Sequence, residues 1–236
     1  MKRHGLTRLT AFSLLSLALA ASPPAARRAA AGEIAVEGQL GYWQMAASRT
    51  GSALFGSDSG ATFGGAARYT FWRGAFAAAG VRTFSKDGQR VFVATPGSAV
   101  QKLGFPLTMR TTPVFLSVGY RFRDGRLIVP YVSAGGTLTK YHETSTVAGE
   151  TFDESLSKAG FLGAVGVEVG RGLLRFAAEG GWSTAPGAIG KAGVSKVYGE
   201  DDAGGRYALG KLVLAFGGRP ARRERTPQPP RRKTPS

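Results

Sequence analysis

Residues Thr112 to Phe122 read TPVFLSVGYRF. Val114, Leu116, Val118, Tyr120 and Phe122 occupy even positions, Ser117, Gly119 and Arg121 odd ones, and Phe115 is the exception. Successive side chains of an extended chain leave on opposite faces, so this alternation describes a strand with one greasy and one polar side. The same rhythm returns along the chain. In 173–183, Leu174, Phe176, Ala178 and Trp182 oppose Arg175, Ala177, Glu179 and Gly181. In 160–170, Phe161, Val165, Val167 and Val169 oppose Gly160, Ala164, Gly166 and Glu168. Leu212, Leu214 and Phe216 oppose Lys211 in 206–216, and Phe63, Ala67, Tyr69 and Phe71 oppose Arg68 in 62–72. Residues 36–46 and 127–141 alternate less cleanly, and 75–85 is Ala-rich, giving eight candidate strands. Helical periodicity is poor, because the 35 glycines interrupt nearly every apolar stretch and each would cost a helix about 1 kcal/mol relative to Ala.

The connections between strands discriminate among all-β architectures. Arg73-Gly74, Asp124-Gly125 and Arg171-Gly172 are tight hairpin signals, whereas 47–61, 86–106, 142–157 and 184–203 are long and polar. Long and short links therefore alternate, as expected for an eight-stranded antiparallel up-and-down transmembrane β-barrel with short periplasmic turns and long outer loops. A soluble barrel holding an apolar ligand is the alternative, with its faces reversed. The polar faces favour the membrane form: they carry Gly and Ala beside isolated charges, as a narrow lumen requires. Arg68, Arg121, Glu168, Arg175, Glu179 and Lys211 are expected to form a lumen charge network, since buried charges must be paired. Aromatic residues gather near strand ends. Phe71, Trp72, Tyr120, Phe122 and Phe216 are expected at one rim, Phe63, Phe84, Tyr141 and Trp182 at the other, as interfacial girdles.

Against this architecture Pro106-Leu107, Tyr120-Arg121-Phe122 and Pro130-Tyr131-Val132-Ser133-Ala134-Gly135-Gly136 can be placed. An aromatic-basic-aromatic strand end followed by a strand opening Pro-Tyr and small residues resembles the small outer-membrane β-barrel family, the OmpA transmembrane domain and OmpX type. By strand count and loop order the resemblance covers 35–217. It implies residence in the cell outer membrane, contact with outer-membrane lipid and lipopolysaccharide, and insertion by the barrel assembly machinery. The last strand, Tyr207 to Phe216, has the alternating end such proteins use as an insertion signal, but twenty residues follow it.

The flanks read differently. Lys2, Arg3 and Arg8 precede an apolar run from Leu9 to Ala21 and the small residues Ala18-Leu19-Ala20, so 1–20 is expected to be a signal peptide. Residues 21–34 read as a flexible leader, 35–217 as the barrel, and 218–236 as a disordered basic periplasmic tail rich in Pro and Arg. The formal charge of +16 is shared among 1–32 (+5), 33–217 (+5) and 218–236 (+6), so the body is only mildly basic. Nucleic acid is therefore not an expected partner, although the tail could lie near envelope polyanions. A monomer is expected.

Chemistry is scarce. There is no cysteine, and His4 and His142 are the only histidines, which excludes thiolate and histidine-cage metal sites. His142 lies beside Glu143 and Ser145 in YHETS, but residues so close along one extended segment do not assemble a nucleophile device. Asp153-Glu154 and Glu200-Asp201-Asp202 are expected to be solvated loop acids without the spacing of a calcium loop. The glycines of 160–170 lack the strand–helix context of a nucleotide fingerprint. No enzyme activity, cofactor or metal is expected. The functional expectation is a structural or surface-interaction barrel with a plugged lumen, the alternative being a narrow porin-like channel for small solutes.

Overall fold

The computed structural model describes residues 32–122, 126–147 and 149–217. The expected signal peptide, nearly all of the leader, the Asp124-Gly125 turn and the basic tail lie outside the described residues. The elements run β1 (Glu33–Met45), α1 (Ser48–Phe55), β2 (Ser59–Trp72), β3 (Ala75–Phe92) and β4 (Gln101–Arg121). They continue with β5 (Ile128–Val147), β6 (Glu150–Gly170), β7 (Leu174–Ser183), α2 (Gly193–Tyr198) and β8 (Gly205–Phe216). Each strand pairs antiparallel with its neighbours in sequence, and β1 pairs with β8, closing an eight-stranded up-and-down barrel. Closure leaves the sheet without an edge through the barrel wall.

The barrel has a short-turn end and a loop end, as the alternation of link lengths requires. Five segments depart from expectation. β1 begins at Glu33, inside the stretch assigned to the leader. The expected loops 86–106 and 142–157 are mostly strand: β3 and β4 pair out to Phe92 and Gln101, and β5 and β6 out to Val147 and Glu150. Beyond the belt of exposed apolar residues these extensions carry Lys86, Asp87, Gln89 and Arg90 on β3 and Glu143, Asp153 and Glu154 on β5 and β6. The regular apolar-out alternation is lost there while the hydrogen-bond ladder continues. The expected loops 47–61 and 184–203 contain α1 and α2.

Exposure follows parity. Ile34, Val36, Leu40, Val114, Leu116, Val118, Val132, Leu138, Val165, Leu174, Phe176, Leu212 and Leu214 are exposed, Leu116 by 66%. Arg68, Arg121, Glu168 and Glu179 are buried in the interior. The greasy face is outside, opposite to a soluble barrel with an apolar ligand chamber.

The interior glycines make room for rings as well as charged chains. A Cβ on Gly119 would stand 2.3 Å from the Phe76 ring, and one on Gly166 2.4 Å from the Tyr131 ring. Phe76 and Tyr131 then meet edge to face at 6.3 Å. Gly119→Val is expected to lower the unfolding free energy by about 1–3 kcal/mol through overpacking. Gly38→Ala, where an added Cβ meets nothing within 4 Å, should change it little. Denaturant titration of the refolded barrel measures both.

Candidate functional site

The six charged residues expected in the lumen meet there. Glu168 on β6 accepts from three guanidinium groups: Arg68 of β2 at 2.7 Å, Arg121 of β4 at 2.7 Å and Arg175 of β7 at 2.9 Å. Arg121 and Arg175 also donate to Glu33 of β1, at 2.9 and 2.6 Å. Arg68 approaches Glu37 at 3.3 Å, and Lys211 of β8 bridges Glu37 at 3.2 Å and Glu179 of β7. Tyr131 of β5 donates to Glu179 at 2.9 Å. Every strand except β3 thus places a side chain in one connected network.

Three members escaped the sequence reading. Glu33 and Glu37 share the inward parity of Gln39, and that two-residue spacing was the available signal. Glu33 was lost to the leader assignment. Tyr131 sits at an inward odd position in the Pro-Tyr strand opening, where a phenol can bond to a buried carboxylate.

Above this charged tier, toward the loop end, the interior turns aromatic. Trp43, Phe84, Tyr141, Tyr207, Met45, Met109 and Leu209 form one buried cluster, with Trp43 stacked on Phe84 at 6.3 Å and on Tyr207 at 6.0 Å. Tyr141 and Phe84 were expected on the outer girdle, and here the structure corrects the reading. Tyr141 is 7% exposed and donates to Glu143 at 2.6 Å, inside. Its parity on β5 matches Tyr131 and Thr139, both inward, and parity decides the side where nearness to a strand end does not. Phe63 and Trp182 point outward at that rim, joined by Tyr42 and Phe161. Phe71, Trp72, Tyr120 and Phe216 point outward at the short-turn end, where Phe122 is half-buried and packs edge to face on Tyr120 at 5.2 Å.

The loop end carries a folded cap. The Glu200 carboxylate accepts from the amides of Arg49 and Thr50 at 3.1 and 2.8 Å and from the Thr50 hydroxyl at 2.7 Å. It thereby supplies acceptors to the unsatisfied N–H groups that begin α1. Asp202 accepts from the amides of Ala185 and Gly204 at 2.6 and 2.7 Å. Two acids of the expected solvated triplet are therefore structural braces. Val91, Val93 and Val194, with Ala53, Leu54, Val197 and Tyr198 against them, give the cap its own apolar core. A cleft of about 600 Å³ opens between α1, the β3–β4 connection and α2, lined by Arg49, Ser52, Ala53, Pro96, Val100 and Tyr198. His142 is exposed, 3.2 Å from the Thr144 hydroxyl and 3.8 Å from Asp153, whereas Ser145 is buried on the opposite face of the strand. The two cannot act on one substrate.

No protein-family profile and no curated protein matches this sequence. Solved structures do match. Neisserial surface protein A superimposes with a TM-score of 0.53 at 14% identity, covering 78% of this chain and 99% of that one. The outer membrane protein OprG of Pseudomonas aeruginosa gives a TM-score of 0.53 at 14% identity, covering 81% and 99%. A major outer membrane protein of Thermus thermophilus gives 0.50 at 12% identity, covering 79% and 100%. The chain therefore has the fold of the small outer-membrane β-barrels. That is the fold implied by the resemblance of Tyr120-Arg121-Phe122 and Pro130-Tyr131.

Glu168→Gln removes the shared counter-charge of three arginines. It is expected to cost about 3–5 kcal/mol, the usual penalty for stranding a buried partner. Urea unfolding of the refolded barrel, followed by the gel shift between folded and heated forms, measures the loss.

Proposed function

We propose that this protein is a non-enzymatic barrel of the outer membrane with a structural or surface-interaction role, its lumen closed to solutes. The observation that carries the reading is the inversion of the usual protein: an exposed apolar wall around an interior of paired ions. Lipid solvates such a wall, and a closed sheet leaves no backbone group unpaired within it. The wall is bounded as a membrane belt should be. Toward the loop end, outward positions change from Leu138 to Lys140 and His142 on β5 and from Val114 to Arg110 on β4, and Arg206 is exposed on β8. Exposed aromatics flank the belt on both sides. Lipid and lipopolysaccharide are the proposed surroundings, with export through the signal peptide and insertion by the barrel assembly machinery. The outward cations face the level where anionic headgroups lie. The chain is proposed to act as a monomer, with the 218–236 tail in the periplasm near envelope polyanions.

Closure rests on the ion network and on the rings above it. The space left at the network is about 20 Å³, and buried rings fill the interior above it. The surface role is placed at the loop end, where the folded cap and its cleft present the exposed chemistry. Planar-bilayer recording of the refolded chain should show no steady conductance. Sustained unitary currents would establish the porin-like alternative. Leu116→Arg and Leu214→Arg should each cost about 2–4 kcal/mol for folding into lipid vesicles. Neutrality at both, or release of the protein from membranes into plain buffer, would overturn the membrane assignment.

A further inference from the structure

Arg82 stands apart from the other charges of the lumen. It lies on β3, the strand that gives nothing to the ion network, and is 4% exposed. Its Nε and Nη1 are buried without a hydrogen-bond partner among the described residues. It lies over two ring faces, Phe115 at 4.7 Å and Tyr207 at 4.0 Å from guanidinium carbon to ring centre, and it shares the neighbourhood of the Tyr207 hydroxyl with Glu179. Rings attract a cation through their quadrupole but do not neutralise it.

The side chain borders the enclosed space of about 20 Å³ at the middle of the barrel. Three cations line that space, Arg68, Arg82 and Lys211, against two carboxylates, Glu37 and Glu179. Both carboxylates are already committed: Glu37 to Arg68 and Lys211, Glu179 to Lys211 and Tyr131. With Glu168 and Glu33, which hold Arg68, Arg121 and Arg175, included, five interior cations meet four carboxylates, and Arg82 is the cation with no carboxylate in ion-pair contact among the described residues. The buried Gln39 lines the same space, and its Oε1 also lacks a partner among the described residues. An amide is reversible by rotation, so Gln39 can turn an N–H toward whatever occupies the space. Water in the space would satisfy hydrogen bonds but leave the charge uncompensated in a low-dielectric surrounding.

We propose that the lumen binds one small inorganic monovalent anion of the halide class, held by the Arg82 guanidinium with the Gln39 amide as second donor. The volume favours the class. About 20 Å³ is room of the order of one water, which suits a monatomic ion better than a polyatomic one.

Bromide is the probe. The full mature chain, refolded and crystallised from sodium bromide, should show one anomalous bromine peak inside the barrel within hydrogen-bond distance of Arg82. Bromide peaks confined to the outer surface, or Glu179 turned onto Arg82 with Lys211 displaced, would overturn the proposal. A solution measurement stands beside it. The unfolding midpoint should be higher in bromide than in gluconate at equal ionic strength, with a rise that saturates, and Arg82→Met should abolish the difference. Equal midpoints for the unaltered protein would overturn the proposal even if Arg82→Met did not fold. Neither readout is conductance, so its failure leaves the closed-lumen reading untouched.

Discussion

Glu168 is the point on which the lower half of this barrel turns. One carboxylate is shared by three guanidinium groups carried on β2, β4 and β7, and Arg68 reaches it from a hundred residues away in sequence. Such an arrangement is possible only because eight strands enclose a lumen about as wide as two opposed long side chains. A wider barrel would hold water between the ions, and a narrower one could not accommodate them. Because each ion depends on another across the bore, the network also fixes register. A slip of one residue would turn Arg68 or Glu168 onto the outer face and strand its partners inside. Ionic pairing here is less a source of stability than a condition that only one closure of the sheet satisfies.

The interior is divided into tiers with different chemistry. Ions occupy the short-turn half, and rings and thioethers the loop half. Arg82 sits at the junction, against Phe115 and Tyr207. The aromatic tier is not lipid-facing, despite lying beside the upper rim of the wall. It forms the floor on which the cap is built, since Ala185, Ala188 and Ala203 of the β7–β8 connection belong to the same cluster. Barrel and cap are therefore one packed body.

Much of this was legible in the residues. Period-two alternation located most of the strands within the barrel wall, because there one face meets apolar surroundings and the other does not, while the Ala-rich 75–85 carried no clear parity. Glu168, Arg68 and Lys211 could be placed inward for the same reason. The reading failed wherever that contrast is lost. Above the wall the apolar residues of β3–β6, such as Val91, Phe92, Leu103 and Phe152, no longer alternate regularly with polar ones, so the strand extensions read as loops. On β1 the alternation is blurred by glycines, and Glu33 fell to the leader although its spacing from Glu37 was in plain view. Tyr141 was misplaced because position along a strand was weighed above parity. Phe115, out of step in the opening segment, was the clue that the inward face carries rings as well as charges. The braces of the cap were not legible at all. Glu200 caps a helix whose first turn lies 151 residues away, and no local pattern encodes a contact of that range.

The cap bears on where this molecule can differ in function from others of its shape. Its fold is set by a few long-range contacts: Glu200 to the start of α1, Asp202 across the β7–β8 connection, and the apolar set around Val91 and Val194. These braces hold the connections at both edges of the cleft in fixed relation, so the cleft walls are positioned before any ligand arrives, and ordering them on binding costs less. The wall and the ion network below are constrained by the apolar exposure of the one and the mutual charge of the other, which leaves their residues little freedom. The lining of the cleft carries neither constraint. Arg49 borders the cleft from an element whose backbone is held elsewhere, so its side chain can change without loosening the barrel. On the proposed surface role, specificity for an outside partner is therefore best sought in the cleft lining.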